Sequence, residues 1–474
     1  MEEKKRVILA GANVRNDVDF KSSMEELAGL AEACEMEIVG ELYQNLDRII
    51  SATYFGKGKI TELKEYAEKE EADYIIFNDE LTPSQIRNLE IDTGVQILDR
   101  TALILDIFAV RAKTKEAMLQ VEVARLKYML PRLIGVSSYL GRQGGGSGLR
   151  NKGTGETKLE LDRRRIEDRI SANEKELIDL AFNRKNQRKM REKQEIPVVA
   201  LVGYTNAGKS TILNAMLEYS NAMEEKRVFE KNMLFATLET SVRKISLEDN
   251  KNFLLTDTVG FISKLPHHLV KAFRSTLEEV SEADLLLHVV DYSDPNYKKH
   301  IEVTKETLES IGVKDIPVVY VYNKVDLLPI EDMSTDINYS SNENGQKTNV
   351  ENANAEYTQG DNTHLTDAQK INSNEGMIEE IIKISSKKKE DVNRLADLMK
   401  GKLFASEVKA ELLIPYDKGG LISYFNENCK VVETKYEGDG IWITIVCSEK
   451  IYEKYKQYVK IVAITKKILT YFYH

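Results

Sequence analysis

The octapeptide at residues 203–210, Gly-Tyr-Thr-Asn-Ala-Gly-Lys-Ser, constrains this chain more than any other feature. Glycine allows turns that other residues do not tolerate, so a G-x-x-x-x-G-K-S loop can wrap its N–H groups around the α- and β-phosphates of a nucleotide. The apolar run 198–202 before it predicts a buried strand, and 211–216 after it predicts the first turn of a helix, whose N-terminus faces the anion. The sequence therefore predicts a P-loop, in which Lys209 reaches the β- and γ-phosphates and Ser210 ligates Mg²⁺.

Two further motifs indicate which nucleotide is bound. Asp257-Thr-Val-Gly260 ends a second apolar strand, so that Asp257 lies where a carboxylate near Mg²⁺ belongs and the Gly260 N–H can contact the γ-phosphate. Asn323-Lys-Val-Asp326 ends a third strand, and the Asp326 carboxylate can accept from the ring N–H and the exocyclic amine of guanine. Adenine lacks both donors at that edge and would leave the carboxylate unpaired. An isolated Asn-Lys-x-Asp is more often a surface turn, but in this order the motifs predict GTP.

Length and composition indicate a soluble protein of several domains. A chain of 474 residues corresponds to roughly three domains at about 150 residues each, and 42% hydrophobic content is enough for several cores. No run of about 18 apolar residues and no basic-then-apolar leader is present, so we expect neither a membrane span nor a signal peptide. Cys34, Cys429 and Cys447 have no motif spacing, which favours buried reduced thiols over a disulfide scaffold or a zinc site.

The pattern of apolar residues predicts an α/β protein in three parts. Short strands alternate with helices over residues 1–110, which indicates an N-terminal α/β subdomain. Leucines and other apolar residues at helical spacing over 112–130 and 159–180 predict a long antiparallel helical hairpin within residues 111–195. A P-loop G domain with a mostly parallel sheet flanked by helices is expected over 196–402, and a small α+β domain over 403–474.

The hairpin segment is basic although the chain as a whole carries a net charge of −10. Residues 111–195 hold 21 Lys and Arg against 12 Asp and Glu, and 123–155 contain no acid at all. Such an island favours a polyanionic partner such as nucleic acid over the alternative of a solvated helix face. The predicted loop at 139–150 has five glycines within 141–148, flanked by Arg142 and Arg150. It could approach RNA closely or be a plain flexible linker, and composition alone does not decide between them.

A second biased segment lies inside the predicted G domain. Residues 331–376 contain nine Asn, nine acids, two Lys and no Arg, which predicts a disordered insertion. Lengthening a surface loop costs little free energy, so the insertion needs no function of its own. After it, 382–386 predict a strand and the polar turn that covers the guanine base, with Ser385 and Ser386.

Several segments outside the nucleotide motifs resemble the bacterial HflX GTPases. They are Arg100-Thr-Ala-Leu-Ile-Leu-Asp-Ile-Phe-Ala-Val-Arg-Ala112, Leu119-Gln-Val-Glu-Val-Ala-Arg-Leu126, Gly155-Glu-Thr-Lys-Leu-Glu160, Asp162-Arg-Arg164, Phe235-Ala-Thr-Leu-Glu239 and Asp257-Thr-Val-Gly-Phe-Ile262. The resemblance covers essentially the whole chain outside the Asn-rich insertion, though weakly in the C-terminal domain. It implies a cytoplasmic, monomeric GTPase that contacts the large ribosomal subunit and its rRNA through the N-terminal domain and hairpin, and that splits or rescues stalled ribosomes under stress.

The motifs and the resemblance together define the expected site. Lys209, Thr237 and Gly260 are expected to be catalytic, and Ser210, Thr237 and Asp257 to hold Mg²⁺; the role of Thr237 comes from the resemblance alone. The expected nucleotide contacts are Gly203, Tyr204, Thr205, Asn206, Ala207, Gly208, Lys209, Ser210, Thr211, Phe235, Ala236, Thr237, Leu238, Glu239, Asp257, Thr258, Val259, Gly260, Asn323, Lys324, Asp326, Ser385 and Ser386.

Two residues bear on how GTP is hydrolysed. Many GTPases have a water-orienting Gln directly after the glycine of D-x-x-G, and here that position is Phe261, so we expect slow intrinsic hydrolysis. Asn206 stands where some GTPases without that Gln hold K⁺ against the phosphates, although it could equally serve only to shape the loop.

Two other functional classes remain open on sequence grounds. One is a GTP-switched binding protein whose hydrolysis only resets affinity. The other is an ATP-driven RNA-remodelling factor, against which the guanine-selective carboxylate of Asp326 argues.

Overall fold

The chain folds around three β-sheets, each with its own buried core. The computed structural model describes residues 4–143, 154–192, 196–220, 234–235, 241–247, 251–266, 269, 280–313, 315–328, 369–372, 378–405 and 407–464. Within these residues no helix is long and apolar enough to cross a membrane. The three-part α/β architecture expected from the sequence is confirmed.

The N-terminal domain is a parallel sheet in the order β2-β1-β3-β4 with helices between its strands. Buried side chains of β1 and β3 lie against helices on both faces, which explains why these strands are nearly continuous apolar runs. The elements are β1 (Arg6–Val14), α1 (Phe20–Ala33), β2 (Glu37–Leu46), α2 (Lys57–Lys69), β3 (Tyr74–Phe77), α3 (Pro83–Thr93), β4 (Gln96–Asp99) and α4 (Arg100–Arg111).

Two long helices follow, α5 (Lys115–Gln143) and α6 (Thr154–Glu192). Ion pairs between them run in opposite directions along the two helices, as in an antiparallel pair. Glu116, near the start of α5, pairs with Arg184 at 2.9 Å, and Lys127, further along α5, pairs with the earlier α6 residue Glu174 at 2.7 Å. The first helix is longer than the sequence predicts, because it continues through Pro131 to Gln143. Arg142 therefore lies in a helix, whereas the glycine-rich stretch 144–153 lies outside the described residues.

The G domain has a seven-stranded sheet in the order β10-β11-β9-β8-β5-β7-β6. Its five central strands are parallel, and the edge strands β10 and β6 are antiparallel to their neighbours. The elements are β5 (Val198–Val202), α7 (Lys209–Tyr219), β6 (Ser241–Ser246), β7 (Asn252–Asp257), β8 (Leu285–Asp291), α8 (Tyr297–Ser310), β9 (Val318–Asn323), β10 (Gln369–Asn372), β11 (Ile378–Lys383) and α9 (Lys389–Leu403).

Strand β10 falls within the segment 331–376 that we predicted to be disordered. Its four residues pair antiparallel with β11, from Gln369 opposite Ile381 to Asn372 opposite Ile378. The prediction is therefore wrong for these residues, because an open sheet edge offers backbone partners that a polar composition does not reveal. The remainder of the segment lies outside the described residues.

The C-terminal domain is an antiparallel sheet in the order β13-β14-β12-β15, with two short helices over one face. Cys429 and Cys447 are buried in its core, Cys34 is half-buried, and all three are free thiols. Burial raises the pKa of the Cys34 thiol to about 12. The elements are β12 (Glu407–Ile414), α10 (Gly420–Asn428), β13 (Lys430–Glu437), β14 (Gly440–Ser448), α11 (Glu449–Tyr455) and β15 (Val459–Ile464).

Candidate nucleotide site

The P-loop connects β5 to α7, and two of its glycines take backbone angles that favour glycine. Gly203 has φ 147°, and a Cβ there would lie 2.2 Å from the carbonyl oxygen of Val289. Gly208 has φ 96°, and its Cβ would lie 2.2 Å from Nδ2 of Asn323. Asn206 also has a positive φ, 61°, a conformation that asparagine tolerates better than most residues. The loop shape is thus set by residues at both ends and in the middle of the motif.

Lys209 is buried at the start of α7. Its Nζ donates to the carbonyl oxygens of Gly203 at 3.1 Å and Tyr204 at 2.7 Å, so the loop it belongs to holds it in place. Burial lowers the pKa of Lys209 to about 8, and the Asp257 carboxylate opposes that shift. Two of the three N–H donors of the ammonium group are engaged, which leaves one for a phosphate oxygen.

The Ser210 hydroxyl donates to Oδ2 of Asp257 at 2.7 Å. Asp257 ends β7 and its side chain is buried. A hydroxyl and a carboxylate are hard oxygen ligands of the kind that Mg²⁺ takes, so the pair predicted from two separate motifs fits that ion. Thr237, the third predicted metal ligand, lies outside the described residues, as do Ala236, Leu238 and Glu239.

Backbone hydrogen bonds join the D-x-x-G segment to the P-loop. Phe261 N donates to the carbonyl of Gly203 at 3.1 Å, and Thr205 N donates to the carbonyl of Phe261 at 2.8 Å. A Cβ on Gly260 would lie 2.8 Å from the Cα of Thr205 and 3.1 Å from Nζ of Lys209, so only glycine fits there without displacing its neighbours. Thr258 and Val259, the two middle residues of this segment, are buried, and the Thr258 hydroxyl donates to the Leu201 carbonyl at 2.6 Å.

The side chain of Phe261 points into the interior of the G domain. It is 3% exposed and packs with Ala200, Val202, Val280 and Leu286. A buried phenyl ring cannot orient a water molecule. The position next to Gly260 therefore supplies no polar side chain to the nucleotide.

The predicted base-recognition residues meet at the ends of β9 and β11. Asn323 donates through Nδ2 to the Ala207 carbonyl at 3.0 Å and accepts at Oδ1 from Ser386 N at 3.0 Å. Asp326 lies in the following short 3₁₀ turn, Val325–Leu327, 4.0 Å from Nζ of Lys387. The buried Ser385 hydroxyl has no hydrogen-bond partner within the described part of the chain, which is compatible with a ligand at this place.

Two aspartates that sequence reasoning missed hold this pocket. Asp291 at the end of β8 pairs with Lys324 at 2.6 Å, and Asp391 in α9 accepts from Ser385 N at 2.7 Å. Asp291 ends an apolar strand much as Asp257 does, and that pattern could have identified it. Asp391 lies in the first turn of a helix, where acids are common, so its sequence gives no specific signal.

Phe235, predicted to contact the nucleotide, has its side chain in an apolar cluster shared with the N-terminal domain. Its ring meets that of Phe108 in α4 edge to face, with centroids 4.7 Å apart. Any nucleotide contact at this position therefore falls to the backbone. Thr211 lies in the first turn of α7 directly after Ser210, as predicted.

The fold and this site define a P-loop protein with a guanine-nucleotide pocket, and comparison with known proteins agrees. Residues 21–109 match the family model described as GTP-binding GTPase N-terminal, 111–191 match GTP-binding GTPase Middle Region, and 198–324 match 50S ribosome-binding GTPase.

Relatives with the same organisation extend over nearly the full chain. GTPase HflX of Caldanaerobacter subterraneus subsp. tengcongensis is 42% identical over 457 residues, which cover 96% of this chain and 94% of that protein. GTPase HflX of Lacrimispora saccharolytica is 38% identical over 451 residues, 95% of each chain. A solved GTP-binding protein from Sulfolobus solfataricus in complex with GDP is 23% identical with a TM-score of 0.40, covering 83% of this chain and 99% of that one; this likeness is too weak to support an argument.

The chain belongs to the HflX family of GTPases. It binds GTP and GDP and hydrolyses GTP.

Proposed function

We propose that this GTPase binds the large ribosomal subunit in the cytoplasm, as a monomer, and couples GTP binding and hydrolysis to the splitting or rescue of stalled ribosomes under stress. The observation that carries the proposal is the match of residues 198–324 to a family model described as 50S ribosome-binding GTPase, within a chain that aligns with HflX proteins over most of its length. The N-terminal domain and hairpin are the parts that we expect to reach rRNA.

The hairpin has the dimensions and anchorage of a rigid arm. Helix α6 has 39 residues, which corresponds to a length of about 58 Å at 1.5 Å per residue. The buried carboxylate of Asp99 ties the middle of α5 to the sheet by accepting from the Tyr128 hydroxyl at 2.5 Å and from Arg132 at 3.0 Å. The same carboxylate accepts from the backbone N–H groups of Leu81 and Ala102. All four of its lone-pair directions are therefore used, which fixes the direction in which the arm leaves the domain.

The nucleotide site contains the groups that we expect to take part in GTP hydrolysis. Ser210 and Asp257 would hold Mg²⁺, with Thr237 as the further ligand when GTP is bound. When bound there, Mg²⁺ would neutralise charge on the β- and γ-phosphates. Lys209 would add a buried positive charge at the same phosphates, and Gly260, which lies close to Nζ of Lys209, would donate its N–H to the γ-phosphate. We further propose that Asn206 ligates a K⁺ ion against the phosphates.

Binding to the subunit is tested by co-sedimentation of the full chain with purified large subunits in GTP, GDP or a non-hydrolysable GTP analogue. We expect retention with the analogue and release with GDP. Ser210→Ala removes a proposed Mg²⁺ ligand and should abolish the difference between nucleotides. Ser220→Ala, at the far end of the same helix, is the matched control and should behave as the parent chain.

Splitting is tested by the light scattering of intact ribosomes after the chain and GTP are added. A fall in scattering that needs GTP or its analogue supports the proposal, and constant scattering contradicts the splitting step. Hydrolysis that is unchanged by large subunits, together with strong GTP-dependent binding to another partner, would instead favour a GTP-switched binding protein.

A further inference from the structure

A buried polar cluster joins the N-terminal domain to the P-loop. It consists of Glu26 in α1, Arg100 at the start of α4, Tyr204 in the P-loop and Ser263 just after the D-x-x-G motif, and we call it the Glu26 cluster. The Glu26 carboxylate accepts hydrogen bonds from the Tyr204 hydroxyl, the Ser263 hydroxyl and the Arg100 guanidinium. The Glu26 side chain is 11% exposed and that of Arg100 is 2% exposed, so these contacts are largely shielded from water.

The N-terminal side of the cluster is held rigidly. Arg100 donates through Nη1 to Oδ1 of Asn78 at 3.0 Å and to the carbonyl of Ser23 at 3.4 Å. Asn78 follows β3 and Arg100 follows β4, at the carboxyl ends of parallel strands, where sheets of this kind commonly bind ligands. Here Arg100 donates to the carbonyl of Ser263 at 3.2 Å, so a segment of the G domain occupies that edge.

On the G-domain side, the cluster contacts the segments that carry Lys209 and Gly260, which we expect to be catalytic. The Tyr204 carbonyl accepts from Nζ of Lys209 at 2.7 Å, while its hydroxyl donates to Glu26 and accepts from Ser263 N at 2.7 Å. The Tyr204 ring is stacked on His300, with centroids 3.9 Å apart and planes at 10°. Ser263 lies three residues after Gly260, and the segment between them is bonded to the P-loop through Phe261.

We propose that Glu26 is a positioning residue for GTP hydrolysis. It acts through Tyr204 on Lys209 and through Ser263 on Gly260, and it fixes both against the γ-phosphate without touching the nucleotide. The N-terminal domain thereby forms part of the machinery that hydrolyses GTP. This inference goes beyond the proposed function, because it concerns the isolated chain and holds whichever partner the chain binds.

The test compares GTP hydrolysis by the full chain and by Glu26→Gln, Tyr204→Phe and the double variant. Glu26→Gln is expected to lower kcat by about 3- to 30-fold, the range for residues that couple to a site without contacting its ligand. The KM for GTP should stay within about twofold, because binding of the ground state is retained. Because Tyr204 lies on one of the two routes by which Glu26 acts, adding Tyr204→Phe to Glu26→Gln should lower kcat no further than Glu26→Gln alone.

Two controls separate positioning from a general loss of stability. Glu25→Gln changes the neighbouring carboxylate of α1, which is exposed and pairs along its own helix with Lys21. Asp19→Asn breaks a different ion pair between the domains, that with Lys299 at 2.9 Å, in which no residue of the Glu26 cluster takes part. Both should keep the parental kcat.

Glu26→Gln removes the negative charge that pairs with Arg100, and the variant could fail to fold for that reason. Tyr204→Phe then still tests the inference, because this substitution removes one hydroxyl and no charge. Its kcat should also fall while KM is maintained. An unchanged or raised kcat in Tyr204→Phe would overturn the proposal. An equal loss of kcat in Asp19→Asn would also overturn it, as would additive effects of Glu26→Gln and Tyr204→Phe on kcat.

Discussion

The side-chain amide of Asn323 donates to the backbone carbonyl of Ala207 at 3.0 Å, across 116 residues of sequence. The other side of the same amide accepts from Ser386 N at 3.0 Å. One side chain thus joins the base-recognition motif, the P-loop and the turn after β11. Because these contacts are buried, the base pocket and the phosphate loop form one unit, and damage to either should reduce nucleotide affinity.

Replacing Asp326 with Asn should weaken GTP binding by about 1–3 kcal/mol, because the new amide can turn a donor toward the donors of guanine. The measurement is equilibrium titration with fluorescent GTP and GDP. Xanthosine triphosphate has a carbonyl in place of the exocyclic amine and should bind the variant better than the parent does. Asp417→Asn, in the C-terminal domain, is the control. Parental GTP affinity in the Asp326 variant would contradict the base assignment.

Gly208→Ala should abolish tight nucleotide binding. The substitution places a Cβ 2.2 Å from Nδ2 of Asn323 at φ 96°, so it must both strain the backbone and displace the amide that joins the two motifs. Backbone strain of this kind costs about 1–3 kcal/mol before any displacement. Gly438→Ala meets no atom within 4 Å and serves as the matched control. Calorimetric titration with GDP checks the prediction; a Kd equal to that of the control would refute it.

Hydrolysis by the isolated chain should be slow and should accelerate on the large subunit. The ring of Phe261 is buried, so no side chain directly after Gly260 orients the attacking water. Phosphate release is measured with and without purified large subunits. If the isolated chain hydrolyses GTP as fast as it does with large subunits present, the ribosome does not supply the group that orients the attacking water.

Rates in K⁺ and Na⁺ buffers decide between the two roles of Asn206. Its φ of 61° means that Asn206→Gly preserves the loop conformation while removing the side chain. If Asn206 ligates K⁺, the parent should be faster in K⁺ and the variant should lose that difference. Equal rates for parent and variant in both buffers would show that the residue only shapes the loop.

Replacing Arg142 and Arg150 with Ala should weaken binding to large subunits and flatten its dependence on salt, because fewer counterions are released on binding. GTP affinity should not change, since both residues are remote in sequence from the nucleotide motifs. Alanine at Gly144, Gly145 and Gly146 should also impair binding, through lost close approach rather than lost charge. Co-sedimentation across a salt series is the measurement. A linker without RNA contact predicts the parental salt slope in both variants.

The motifs of the candidate nucleotide site are visible in the local sequence. A glycine-rich loop, a lysine at a helix start and an aspartate at the end of an apolar strand can be recognised within short contiguous segments, although the contacts they make, such as that between Gly208 and Asn323, join distant parts of the chain. The strands β5, β7 and β9 were predictable for a similar reason, since strands buried on both faces are continuous apolar runs. Strand β13 gives no such signal, because most of its side chains are exposed and show no alternation.

Helix α5 shows a limit of local patterns. The apolar periodicity weakens after residue 130 and Pro131 favours an end, yet the helix continues to Gln143. Arg132, one residue past the proline, pairs with the buried Asp99 and lies 3.2 Å from the centre of the Tyr128 ring. Contacts with another domain therefore contribute to a turn of helix that its own sequence does not favour.

The sequence by itself determined the ligand, because guanine and phosphate recognition reside in short contiguous motifs whose backbone geometry is local. Only the tertiary structure decided which residues outside the motifs contact them. Glu26 and Tyr204 are 178 residues apart and share no motif, yet the fold brings a carboxylate of one domain onto the hydroxyl of the other's P-loop. The physical reason is that burial makes such polar groups dependent on each other, and burial is a property of packed domains rather than of any segment.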